Sequence, residues 1–158
     1  MTGFTHFDEQ GKARMVDVSG KEMSDRVATA RGRVRLQPET LALIEQGQVA
    51  KGDVLSVARL AGIMGAKKTP DIVPLCHPIA LHGVSVDLTL GVDTVEITVA
   101  TKTADRTGVE MEALTAVAAA GLALVDMVKA VDPSASIERV RVLRKEGGKT
   151  GTWERERD

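Results

Sequence analysis

Aromatic side chains are almost missing from this chain: one Trp, two Phe and no Tyr among 158 residues, with Phe4, Phe7 and Trp153 all near the ends. An interior without rings has no stacking platform for bases, so a heterocyclic ligand must be held mainly by hydrogen bonds. Cysteine is as scarce, and the single Cys76 excludes an internal disulfide. Neither sign of charge dominates, with 21 Lys and Arg against 22 Asp and Glu for a net charge of −1. No global field therefore draws the chain to nucleic acid or to an anionic membrane, and any anion site must be a local cluster. The opening Met1-Thr2-Gly3 begins neither a signal peptide nor a membrane span, so the expected location is cytoplasmic.

What the chain does have is length for one domain and one long apolar stretch. A chain of 158 residues buries roughly two-thirds of its unfolded surface without disulfides or metals. The stretch runs from Thr107 to Pro133. Thr107 followed by Glu110 predicts a capping-box start, and Asp132-Pro133 a stop. From Ala113 to Val125 nearly every position is apolar or small, so this helix is expected to be covered on both sides, by a sheet and by another subunit, with Ala119 or Leu122 at the subunit contact. Glu112, Asp126 and Lys129 interrupt it on one face. Asp126 and Lys129 are close enough to touch, whereas Glu112 and Asp126 are about 21 Å apart along the axis. Either one carboxylate is structural, or the ligand is long, or a second copy of the helix brings its opposite end alongside. The plain alternative makes Glu112 a solvated first-turn residue and Asp126 a paired core charge. The cost of desolvating an ionised Asp126 between Val125 and Met127 favours a working role.

Around this helix the pattern is strand-rich. Residues 1–20 are polar and glycine-punctuated and read as a mobile arm. Arg26 to Leu36 alternates, with Ala28, Ala30, Gly32, Val34 and Leu36 on one face and Arg31, Arg33 and Arg35 on the other, a basic face that is either solvated or turned to phosphate. Pro38 opens a short helix to Gln46, and Asp53 caps a second running to about Ala66. That second helix superficially imitates a DNA-binding helix-turn-helix, but Pro70 and Pro74 break the segment where a recognition helix would continue. The prolines of residues 69–78 predict a rigid, irregular loop presenting Cys76 and His77. Cys76, His77 and His82 lack zinc-site spacing, so no metal is expected, and His77 serves either as a hydrogen-bonding and proton-transfer group or as a packed side chain. Leu81–Leu90 and Thr94–Thr103 form a hairpin through Gly91-Val92-Asp93, and Ile137–Lys145 supplies a last strand with Val140 and Val142 inward. Gly147-Gly148-Lys149-Thr150-Gly151 is no nucleotide loop, since position 143 is Leu and too few residues remain for a helix. It still offers one ammonium to a phosphate. The order β-α-α-β-β-α-β predicts an α+β fold, a ferredoxin-like split βαβ with a four-stranded antiparallel sheet and a doubled first crossover helix. The expected organisation is one catalytic domain over residues 21–151 and a C-terminal tail over 152–158.

KGDV at 51–54, PLCHP at 74–78, GVEMEALTAV at 108–117, DMVKA at 126–130 and GGKTG at 147–151 stand in this order. Together they resemble the molybdenum cofactor biosynthesis protein C family, the cyclic pyranopterin monophosphate synthases, over nearly the whole chain. Val125 departs from the tyrosine expected before Asp126. The resemblance implies a lyase that converts 3′,8-cyclo-7,8-dihydro-GTP to cyclic pyranopterin monophosphate with release of pyrophosphate, without metal or organic cofactor. It also implies a homohexamer, a trimer of dimers, with sites at a subunit interface. Asp126, Lys51 and Lys129 are its implied catalytic residues. Leu75, Cys76, His77, Met111 and Glu112 match its substrate-binding positions, and Arg26, Lys67, Lys145 and Lys149 are candidate cations for the phosphates. Two readings of another kind stay open: a non-catalytic sensor of a small ligand, and a purely structural partner protein.

Overall fold

The computed structural model describes residues 3–157. Alternating burial builds a single antiparallel sheet from β1 (Ser24–Arg35), β2 (Leu81–Leu90), β3 (Thr94–Asp105), β4 (Ser136–Glu146) and β5 (Trp153–Glu154), in the order β2-β3-β1-β4-β5. The fold is α+β, but the sheet has five strands rather than the expected four. The extra strand comes from the tail, where Trp153 and Glu154 pair with Lys145 and Arg144 along the β4 edge.

Helices α1 (Pro38–Glu45), α2 (Val54–Lys67), α3 (Thr69–Ile72) and α4 (Glu110–Val128) complete the chain. Ala28, Ala30, Gly32 and Val34 of β1 are buried, and Gly32 lies so close beneath α4 that a Cβ there would meet Val117 at 2.7 Å. The arginines of β1 occupy the opposite face. Arg31 faces Glu96 at 3.5 Å, Arg33 faces Glu138 at 3.3 Å, and Arg35 pairs with Asp93 at 2.6 Å and with Glu138 at 3.1 Å. Each has an acid on a neighbouring strand or the β2–β3 hairpin, so the basic face is an ion-paired sheet surface.

Irregularities in β4 change which side chains face inward. Register shifts fall opposite Thr29/Ala30 and Arg31/Arg33, and Arg139 adopts φ 54°. Val142 pairs with Ala30 and Val140 reaches toward Gly32, both on the helix side as expected. Beyond the bulge at Leu143 the parity flips: Lys145 pairs with Ala28 and so also faces the helices.

Several helix ends differ from expectation. The α4 cap is Val109 without a side-chain hydrogen bond, so Thr107 and Glu110 form no capping box. Glu110 is instead the first helical residue, with its carboxylate 3.7 Å from the Lys145 ammonium. Residues 69–78 are not wholly irregular, because Pro70 sits in the first turn of α3, where a missing N–H costs nothing. The long helix stops at Val128, before Asp132. Asp132 is fully buried and accepts from Gln37 N at 2.9 Å, Thr40 Oγ1 at 3.0 Å and Ser134 N at 3.2 Å, which ties the start of α1 to the segment after α4.

The covering of α4 is also uneven. Ala113, Ala116, Val117, Ala120 and Leu124 are fully buried against the sheet and α2. Although α4 is long and apolar enough to cross a membrane, this burial makes it a core helix. Gly65 of α2 lets the helices touch: a Cβ there would sit 2.5 Å from the Ala119 methyl and 3.3 Å from the Thr115 carbonyl. Ala119, half-buried, thus packs on α2 within the chain, while Leu122 remains 64% exposed.

Candidate functional site

The start of α4 and the loop after α3 border a cavity of about 670 Å³, principal in that it gathers the candidate substrate-binding Leu75, Cys76, His77 and Met111, with Gly108 and Glu110 beside them. The Cys76 thiol points to Glu112 Oε1 at 3.7 Å. Glu112 is only 1% exposed, so it is not a solvated first-turn residue, and among the described residues its Oε2 has no partner. Burial raises its pKa above the ordinary glutamate value, favouring the neutral acid, which donates a proton as well as accepting. Burial, then the neighbouring Glu112, pushes the Cys76 thiol up to about 11. At neutral pH it is a weak donor rather than a thiolate nucleophile. Glu112 itself lines a smaller cavity of about 220 Å³, together with Lys67, Pro70, Pro78, Ile79 and Leu81.

The other end of α4 carries a second cluster. Lys51, from the loop between α1 and α2, donates to the Asp126 carbonyl at 2.9 Å and to its Oδ2 at 3.2 Å, and Lys129 stands 2.7 Å from Oδ1. The carbonyl is one of the last in α4 and has no partner within the helix, so the Lys51 ammonium also serves as a cap. Asp126 was expected to be a desolvated core charge, yet its side chain is 56% exposed. Its position near the helix end brings it back to solvent. Hydrogen bonds from Lys129 and then Lys51 hold its carboxyl below the usual aspartate range. It is thus a carboxylate held between two hydrogen-bond-donating ammonium groups.

The remaining candidate cations are divided among three cavities, with Lys67 in the smaller one beside Glu112. Lys145 lies against Glu110, in the wall of the principal cavity. Arg26 donates to the backbone carbonyls of Asp105 at 3.2 Å and Arg106 at 3.4 Å, and shares a neighbouring cavity of about 710 Å³ with Lys21 and Lys149. Gly147 and Gly148, both with positive φ, fold the last loop onto the start of β1, where a Cβ on Gly148 would lie 2.5 Å from Arg26 Nη1. No group of three or more His, Cys, Asp or Glu side chains among the described residues is arranged to hold a metal ion, and His82 instead accepts from Ala104 N at 3.3 Å.

Comparison with known proteins gives the family. The family described as MoaC matches residues 15–148. The chain belongs to the MoaC family. It is 58% identical over 158 residues to the cyclic pyranopterin monophosphate synthase of Dinoroseobacter shibae, which spans 99% of this chain and 100% of that relative. It is 59% identical over 151 residues to the synthase of Streptomyces coelicolor (96% of this chain, 89% of the relative) and 57% identical over 160 to that of Thermomicrobium roseum (100% and 96%). The MoaC match takes in every candidate site residue except Lys149, which lies just past its end.

Within one chain the candidate residues form two groups. Leu75, Cys76, His77, Met111 and Glu112 lie together, with Lys67, Lys145, Arg26 and Lys149 around them, whereas Lys51, Asp126 and Lys129 meet at the opposite end of α4. Fourteen helical residues separate Glu112 from Asp126, about 21 Å. Sequence reasoning missed the direct Lys51–Asp126 contact, since nothing in the spacing of positions 51 and 126 reveals it. It also missed the buried Asp132, though the Asp-Pro-Ser turn there was visible, and the placement of His6 and Ala13 in the wall of the principal cavity.

Proposed function

We propose that this chain is a cyclic pyranopterin monophosphate synthase, a lyase of molybdenum cofactor biosynthesis that converts 3′,8-cyclo-7,8-dihydro-GTP to cyclic pyranopterin monophosphate and pyrophosphate. The observation that carries the reading is the end-to-end identity of 58% with a synthase of that name. The geometry agrees with a ligand of this chemistry. A guanine-derived ring carries N–H donors and carbonyl or ring-nitrogen acceptors along one edge, and the buried, unpartnered Glu112 Oε2 can complement either. The lack of aromatic rings leaves this hydrogen bonding as the main source of selectivity. Arg26, Lys67, Lys145 and Lys149 supply positive charge for the phosphates and for the departing pyrophosphate.

Opening the five-membered ring of the purine and reclosing it as a pterin requires repeated proton transfers. In this reading Asp126 accepts protons as a base held ionised, and Lys51 and Lys129 donate them or stabilise developing oxyanions. The reaction draws on this chain's side chains alone, with no cofactor. Since the Glu112 and Asp126 ends of α4 are far apart, the site uses the cavity of one copy and the lysine-flanked aspartate of another, within a homohexamer built as a trimer of dimers. The subunit is a ferredoxin-like split βαβ extended by one edge strand, and its proposed location is the cytoplasm.

The test is turnover. Purified protein incubated with the cyclised GTP should yield a cyclic phosphate diester and pyrophosphate, both resolved by phosphorus NMR. Tight binding without turnover would convert the reading to that of a ligand sensor.

A further inference from the structure

Residues before β1 contribute more than a leader to the sheet. Phe7 bridges to Ala13, and Asp8 closes the turn between them by accepting through Oδ1 from Gln10 N and Lys12 N, both at 2.9 Å. Arg14 N donates to His6 O at 2.8 Å and continues the hairpin. This fold places His6 and Ala13 in the wall of the principal cavity, across from the loop that carries Cys76 and His77. Two residues beyond the hairpin, the Val16 carbonyl meets His77 Nε2. A carbonyl oxygen can only accept, so Nε2 must carry a proton, and in the neutral ring Nδ1 is then left as an acceptor. His77 is the wall shared by this cavity and one lined by Met15, Val16, Asp17 and Val18. The same short segment therefore closes one side of the cavity and orients a side chain in it.

We propose that the N-terminal hairpin is a working wall of the ligand site: His6 contacts the bound ligand, and the Val16 carbonyl is the positioning group that fixes His77 in its Nε2–H form. The family match begins only at residue 15, so the hairpin lies outside it. The kinetic part of this proposal rests on the synthase reading, whereas the ring-nitrogen part does not.

Two kinetic variants and one spectrum test it in the full-length protein. Asp8→Ala loosens the turn without touching the cavity, and His6→Ala removes the wall side chain itself. Each should raise KM about five-fold, the worth of a single hydrogen bond, with kcat little changed, and Asp8→Asn should restore KM because its amide oxygen still accepts. Long-range nitrogen NMR of His77 in the unliganded wild type should show a protonated Nε2. Unchanged KM in both alanine variants overturns the wall, and a neutral ring protonated at Nδ1 overturns the Val16 contact. If the wild type shows no turnover at all, the synthase reading fails while the His77 spectrum still decides the positioning claim.

Discussion

Asp126 carries a charge that two ammonium groups share, and this decides what its replacement should do. Asp126→Asn keeps the shape and loses the base, so turnover should fall roughly 10²-fold or more with the fold intact. Near-normal turnover in a folded Asp126→Asn variant would remove Asp126 from the chemistry. Lys129→Ala carries no matching stability penalty: with Asp126 56% exposed, the pair is a surface contact that water can replace. Glu112 is the opposite case. Its carboxyl is buried and its pKa raised, so between about 4.5 and the elevated folded value the native chain holds a proton that the unfolded chain has released. Stability should therefore decline as pH rises through that window, and Glu112→Gln, which cannot ionise, should flatten the decline. Urea titrations of both proteins from pH 4 to about 9 would check this, and parallel curves would show that Glu112 is not the buried acid described. Sequence alone marked both carboxylates, but it left the burial of Glu112 open and overstated that of Asp126, because helical position says which face a residue takes and not how far the neighbouring elements extend along it.

At the scale of elements, the strands were legible because period-two alternation survives almost undisturbed in β1, β2 and β3. The β2–β3 hairpin falls at Gly91-Val92-Asp93 as its turn residues indicate, and Asp53 caps α2 by accepting from Ser56 N at 3.1 Å. Less legible were features decided by long-range contacts: the fifth strand, the bulged parity of β4, and the start of α4, where Lys145 rather than Thr107 engages Glu110. The close approach of α2 to α4 belongs to the same class. Nothing in the spacing of α2 reveals that Gly65 lies against Ala119 and the Thr115 carbonyl. Gly65→Ala should force the helices apart and cost about 1–3 kcal/mol, lowering Tm by a few degrees or more. Gly83→Ala is the control, since its nearest neighbour is Lys102 Cβ at 3.8 Å and Tm should hardly move. Equal Tm values for the two variants would show that the α2–α4 contact can relax without penalty.

On the scale of the whole molecule, α4 presents an apolar outer face while its two ends carry the two halves of the proposed site. Leu122 is 64% exposed in the single chain, so Leu122→Glu should leave each subunit folded. If that face is covered in the assembly, the same substitution buries an unpaired carboxylate there, and sedimentation should show smaller species with activity lost. An assembly of unchanged size would place the subunit contact elsewhere. The central claim, that a cavity from one copy works with the Lys51–Asp126–Lys129 cluster of another, is tested most directly by mixing two folded, separately inactive variants, Lys51→Ala and Glu112→Ala. Random exchange within dimers leaves one intact site in each mixed pair, so activity should return to about a quarter of the wild-type level. Complete exchange with no recovery would contradict the claim and place both halves of the site in a single chain.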